Sequence, residues 1–402
     1  VGGSHAHRAG HDDAVEVQRG PKTVLLASLA LAFLVTVVGV VWLWPDGEKV
    51  DDLSQDVQFA APGVTFPAAE VLEVEEPCPD NQQAEGCGTI RVRVSEGEDA
   101  GTETTARGVP PDVLESDLQV GDSVKLIRTP PRADAPDGGA TLNYFGTVRT
   151  QPVALLLLVF VVVVLAVARL RGLMALLGLV FSAGVIGVFL LPALLSGESP
   201  VLVGMIGSAA IMFVVLYTTH GWSLRTSAAL GGTLAGIGLT ALLGSFAVSS
   251  TRLTGVSDDG SRVLSTFAGD LTFPGLFACA IIIAGLGVLN DVTITQASAV
   301  WEIRAAAPAM SRARVFASGM RIGRDHIAST IYTIVFAYAG TALTVLLVLR
   351  LYQSPFLDLL ATEEIGQEVV RTLATSIALV LAVPLTTAIA VATLPPGRDP
   401  DH

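Results

Sequence analysis

Long runs without a single charged residue constrain this chain more than any other feature. Residues 172–197, 199–219 and 226–251 contain no Asp, Glu, Lys or Arg. A helix crossing the hydrocarbon core of a bilayer needs roughly 20 predominantly apolar residues. Lipid offers the backbone no hydrogen-bond partner, so only helices and closed barrels span it. A membrane barrel would read as short alternating segments, and these runs do not alternate. Spanning helices are the consequence. Charged residues make up 15% of the 402, against about 25% in an ordinary soluble domain.

Eight apolar segments of suitable length follow, at about 23–44, 152–168, 173–191, 200–218, 225–247, 273–290, 328–349 and 372–393. Arg19 and Lys22 precede the first, and Trp42 and Trp44 stand at its far end as an interfacial belt would. It is too long for the apolar core of a signal peptide and shows no small-x-small site before Pro45, so it reads as a retained anchor. Between the first two segments lies a polar stretch, 46–150. Its runs PAAEVLEVEE, GTIRVRVSE, ETTARG and DSVKLIRTP partly alternate, and EGEDAG and VGDSV have turn composition. The expected fold class is an α-helical polytopic membrane protein. It has about eight transmembrane helices and a small β-rich extracytoplasmic domain, a barrel or sandwich, after the first helix. The divisions are a disordered N-terminus (1–22), the anchor (23–45), the β-rich domain (46–150), a seven-helix membrane domain (151–394) and a tail (395–402).

Charge sets the expected orientation. With the N-terminus inside, short cytoplasmic segments hold Arg8, Arg19, Lys22, Arg169, Arg171, Arg225, Arg304, Arg312, Arg314, Arg321, Arg324 and Arg398. Short outer loops hold only Arg252, Arg262, Arg350 and Arg371. The excess of Lys and Arg on one side puts both termini in the cytoplasm. The outer domain carries 21 acidic and eight basic residues, so it is not drawn to anionic lipid. No basic patch with interleaved aromatics occurs, which argues against nucleic acid as a partner. Cys78 and Cys87 frame CPDNQQAEGC; they can close a disulfide in an oxidising compartment or stand as free or metal-binding thiols. Cys279, in an apolar run, reads as packing. His5, His7 and His11 are a weak metal signal in a polar terminus.

Candidate chemistry borders the later spans. Asp291, Thr295, Ser298 and Glu302 recur at four, three and four residues, which puts them on one helix face. Carboxylates beside hydroxyls suit a cation or a proton relay, or simply mark the water interface. In SGMRIGRDH, Asp325 is placed to cap the seventh span, Arg324 to meet anionic headgroups and His326 to titrate near neutrality. Glu364, Glu368 and Arg371 stack at four and three before the last span. Pro384 interrupts that span beside Thr386 and Thr387, and broken helices often line transport sites, although a kink also serves packing alone. Ala228, Gly232, Gly236, Thr240 and Gly244 form a small-residue stripe for close packing within the chain or in a homo-oligomer. Walker A, dinucleotide-fingerprint, HExxH and GxSxG sequences are absent, and no cofactor is identified.

The segments GLGVLNDVTITQASAVWEI (285–303), GMRIGRDHIASTIYTIVFAYAG (319–340) and EEIGQEVVRTLATSIALVLAVPLTTAI (363–389) resemble the YibE/F-like family of bacterial membrane proteins. The resemblance extends over most of 46–393 and departs from the family pattern at His326 and Tyr332. It implies the architecture and a bacterial cytoplasmic membrane, and no particular activity. Asp291, Glu302, Arg324, Asp325, Glu364, Glu368, Arg371, Pro384 and Thr386 fall on positions characteristic of the family. The leading functional reading is a secondary transporter or exporter of a small solute, cation or proton. The alternative is a structural or accessory protein whose outer domain binds an envelope partner. A membrane-embedded enzyme ranks third.

Overall fold

The computed structural model describes residues 19–56, 63–74, 88–115, 118–130, 140–351, 355, 358 and 361–395. Cys78, Cys87 and the three N-terminal histidines lie outside them. The chain divides into two compact units, one of Val1–Asp56 with Leu170–His402 and one of Val57–Arg169.

The smaller unit contains a five-stranded closed barrel of β1 (Ala68–Val74), β2 (Gly88–Val94), β3 (Glu103–Val109), β4 (Ser123–Thr129) and β5 (Thr141–Thr147) in the order β1-β2-β3-β5-β4. All pairings are antiparallel except β3 with β5, and a short helix, α3 (Pro111–Glu115), joins β3 to β4. This is a Greek-key barrel of the OB type. Closure leaves no free sheet edge. Strand alternation sends Val71, Ile90, Val92, Ala106, Val124 and Leu126 inward to full burial. The outward residues pair across strands: Arg91 with Glu73 at 2.7 Å, Arg93 with Glu103 at 2.8 Å and Lys125 with Glu96 at 3.0 Å. Gly97 and Gly121 have positive φ in the two expected turns. β5 has no counterpart among the expected strands; its TLNYFGT lacks a clean alternation, and tertiary pairing with β4 supplies what local pattern does not.

The larger unit is helical. It comprises α1 (Arg19–Trp42), α2 (Gly47–Asp56), the end of α4 (Thr150–Gly184), a π-helical turn (Val185–Leu190), α5 (Leu191–Leu195), α6 (Pro200–His220), α7 (Leu224–Thr251), α8 (Asp259–Phe267), α9 (Phe273–Ala306), α10 (Arg312–Thr341), α11 (Leu343–Leu351) and α12 (Glu363–Ala392). Among the described residues, six helical stretches are long and apolar enough to cross a membrane, or seven if the α10–α11 pair counts as one. The protein is therefore a polytopic helical membrane protein with a β-barrel.

The count differs from the eight separate spans expected. Segments 152–168 and 173–191 fall within the stretch Thr150–Leu195, as two helices that meet at a kink at Arg169 (φ 52, ψ −129). Segment 328–349 is divided instead, by a 63° bend between α10 and α11. The polar stretch before it is helical from Arg312, so Asp325 sits inside α10 and caps nothing. α1 begins at Arg19, a turn earlier than the expected boundary.

α7, α9 and α12 form the centre of the unit. The small-residue stripe on α7 is buried within the chain. A methyl group added at Gly232 would overlap Thr386 of α12, and one at Gly236 would come within 2.9 Å of Leu289 of α9. Cys279 packs against Gly204 of α6, where an added Cβ would meet its Sγ at 2.8 Å.

Two stability predictions follow from these contacts. Gly232→Val should destabilise the helical unit by about 1–3 kcal/mol through overpacking. Gly238→Ala, with open space around it, should be near neutral. Thermal unfolding of detergent-solubilised protein compares them. In the barrel, the Lys125 ammonium, aided by the Ala68 N–H, holds the Glu96 carboxyl below its ordinary range. A depressed carboxyl stabilises above its unfolded pKa, and the effect is lost as pH falls through the folded one. Glu96→Gln should flatten the acid limb of barrel stability below about pH 5, read by circular dichroism of the full chain; an unchanged acid limb refutes the role.

Candidate functional site: a polar seam between three helices

Side chains on the facing surfaces of α7, α9 and α12 form two polar groups with an apolar layer between them. Near the C-terminal end of α12, Thr233 of α7 and Thr293 of α9 share a hydrogen bond of 2.6 Å, both fully buried. Gln296, one turn along α9, donates from Nε2 to the Gly319 carbonyl at 2.9 Å and to Thr387 Oγ1 at 2.8 Å. Thr387 passes its own proton to the Val383 carbonyl at 2.7 Å. Two glycines of α10 make room for this cluster. A Cβ at Gly323 would come within 2.7 Å of Val383 and 3.0 Å of Gln296 Oε1, and one at Gly319 within 3.1 Å of Val300. Pro384 has no N–H for the Val380 carbonyl, so the helix is weakened where Thr386 and Thr387 follow. Thr386 Oγ1 is buried and has no partner among the described residues.

The second group lies toward the N-terminal end of α12. Glu363 accepts from the backbone N–H groups of Thr254 (2.8 Å) and Gly255 (3.0 Å) and from Gln367 Nε2 (2.9 Å). Ser257 donates to Gln367 Oε1 at 3.2 Å. Two turns along, Arg371 approaches Glu368 at 3.5 Å and lies over the rings of Phe277 (5.4 Å) and Tyr338 (5.9 Å). Thr375 is buried beside Gly285 and Thr240. From Thr375 to Thr386 the helix rises roughly 16 Å. Fully buried Leu289, Leu379, Ala382 and Val383 occupy that interval.

The sequence model of the YibE/F-like protein family matches residues 156–396. The chain belongs to the YibE/F-like family. The match takes in α6, α7, α9, α10 and α12, and hence both polar groups of the seam, while the barrel precedes it. No curated protein and no solved structure matches the chain.

Within the family segment, the residues singled out from sequence are divided between seam and surface. Thr386 is buried in the seam, and Glu368 and Arg371 are half-buried at its other end. Asp291 and His326 meet across α9 and α10 at 3.9 Å, with Asp291 exposed. Glu302, exposed, stands 4.0 Å from half-buried Arg225. Thr295, Arg324, Asp325 and Glu364 are exposed, and Ser298 is half-buried. The run 290–298 is polar on two faces of α9. Asp291, Thr295 and Glu302 point away from the core, whereas Thr293 and Gln296 point into it. Thr233, Thr293, Gln296 and Gln367 are therefore the seam residues that sequence reasoning passed over. Thr293 and Gln296 stand in the polar run 290–298 and Gln367 in the charged segment 363–371, so no local signal sets them apart from their exposed neighbours. Among the described residues, no three of His, Cys, Asp or Glu converge as metal ligands would.

Gln296→Leu removes one side chain that ties α9 to both α10 and α12. It should cost about 1 kcal/mol, the scale of a hydrogen bond between membrane helices. Thr295→Val, on the exposed face, should stay within about 0.5 kcal/mol. Thermal unfolding in detergent distinguishes them; equal effects would mean that the seam bonds carry no net stability.

Proposed function

We propose that this chain is a secondary transporter of a small solute or ion across the bacterial cytoplasmic membrane, with the α7–α9–α12 seam as its path. The observation that carries the reading is the pair of polar groups on either side of an apolar layer, one of them beside Pro384, which lies inside a continuous helix. Buried polar and ionisable side chains in a spanning bundle are costly, and transport sites are where that cost is commonly tolerated. Pro384 leaves the Val380 carbonyl without its helical N–H donor beside that group. The apolar layer is the barrier that a change in helix packing would open.

The reading includes a topology. Both termini are cytoplasmic, 46–150 is extracytoplasmic, and the chain crosses eight times. The stretch Thr150–Leu195 has 46 residues, about twice what one crossing needs, and it kinks at Arg169. The α10–α11 pair makes one bent crossing. In this arrangement Asp291, Thr295, Ser298, Glu302, Arg324, Asp325 and His326 form the cytoplasmic rim of the path, and Glu364 belongs to the outer rim.

Sealed proteoliposomes holding the full chain test this, with a panel of cations and amino acids and an internal pH-sensitive dye. Saturable flux is expected. Thr293→Val should reduce it at least tenfold, because it breaks the seam, and Asp291→Asn should reduce it less, because Asp291 is exposed. Folded protein with no flux across the panel would favour an accessory role in which the barrel binds an envelope partner.

A further inference from the structure

The Glu368–Arg371 pair is incompletely satisfied, and it stands beside a cleft. Its single contact, Arg371 Nη1 to Glu368 Oε1, is 3.5 Å long, beyond the 2.7–2.9 Å of a good charge-assisted bond. Glu368 Oε2 and Arg371 Nε are buried with no partner among the described residues. Buried charge is stable when paired and hydrogen-bonded, so a pair left in this state is an energetic liability. Arg371 has a second source of support. Phe277 and Tyr338 each present a ring face to its guanidinium. It can therefore keep its place without Glu368.

Glu368 and Tyr338 also line a cleft of about 230 Å³ bounded by α10, α11 and α12. Most of its remaining wall is aliphatic, including Val335, Ala339, Leu346 and Leu373. Such a cleft accepts a small apolar body, and its one acidic or basic wall group is the Glu368 carboxyl. That combination selects an ammonium ion with an apolar substituent and disfavours anions.

We propose that Glu368 binds a small lipophilic ammonium ion in this cleft, and that Arg371 is a resident competitor for the same carboxylate. An arriving ammonium takes over the carboxylate, and the half-buried guanidinium gives up its counter-ion. The displaced guanidinium stays between its two rings. The assignment names a substrate class for the transport reading and rests on that reading, but binding is measurable without flux.

The two partners of the pair should then respond in opposite directions. The full chain in nanodiscs of amine-free lipid would be titrated with phenethylammonium by calorimetry, with empty nanodiscs subtracted. Glu368→Gln should weaken binding at least tenfold, and Arg371→Gln should tighten it at least threefold. Leu373→Trp, which narrows the cleft from an exposed position and leaves the pair intact, should also weaken it. No saturable binding, or binding unchanged by Glu368→Gln or by Leu373→Trp, overturns the proposal. So does folded Arg371→Gln protein that binds no more tightly than wild type, because the pair would then act as one structural unit. If Arg371→Gln does not fold, the Glu368 and Leu373 variants decide alone. Binding without flux would remove the transport reading and keep this site; flux without binding would do the reverse.

Discussion

The helical unit depends on how closely α7 approaches α9 and α12. Between helices in lipid the hydrophobic effect gives no net attraction, because the surroundings are as apolar as the side chains. Association then rests on contact area and on hydrogen bonds between helices. Both need backbones near one another. Gly232 and Gly236 provide that nearness, since a side chain at either position would occupy space taken by Thr386 or Leu289. Gly319 and Gly323 do the same for α10 against Gln296 and Val383. The polar seam is thus a product of glycine spacing. Threonine hydroxyls reach across from α7 to α9 because no bulk keeps the helices apart.

Close packing also decides which polar groups are satisfied. Thr233, Thr293, Gln296 and Thr387 find hydrogen-bond partners on neighbouring helices or in their own preceding turn. They supply specificity at small energetic cost. Glu368 and Arg371 differ. They are charged, half-buried and joined by one long contact. A fold selected for stability alone would do as well with an apolar pair there. Along one helix, α12, a satisfied polar group and an unsatisfied charged pair thus stand several turns apart.

The barrel follows another logic. Its core is a short alternation of Val, Ile, Leu and Ala, and its outer surface is covered with cross-strand ion pairs. Exposed pairs of this kind contribute little each. They do fix the residues opposite one another, and with the closed strand order they leave no edge for unwanted pairing. An acidic, well-solvated barrel and an apolar bundle in one chain account for a composition that fits neither class alone.

The sequence by itself determined the class of this protein. Uncharged runs of bilayer length admit only helices, and alternation bounded by turns marked four of the five barrel strands. It also marked the stripe on α7, because a period of four residues is a local property. It left undecided the bend at the end of α10 and the fifth strand, because each depends on partners distant in the chain. The candidate site shows the same division. Asp291, Thr295, Ser298 and Glu302 were legible as one face of α9, whereas Thr293 and Gln296, in the same polar run, were not singled out. Only the tertiary structure decided which face meets α7 and α12, since periodicity defines the faces of a helix and the packing of other helices determines which is buried.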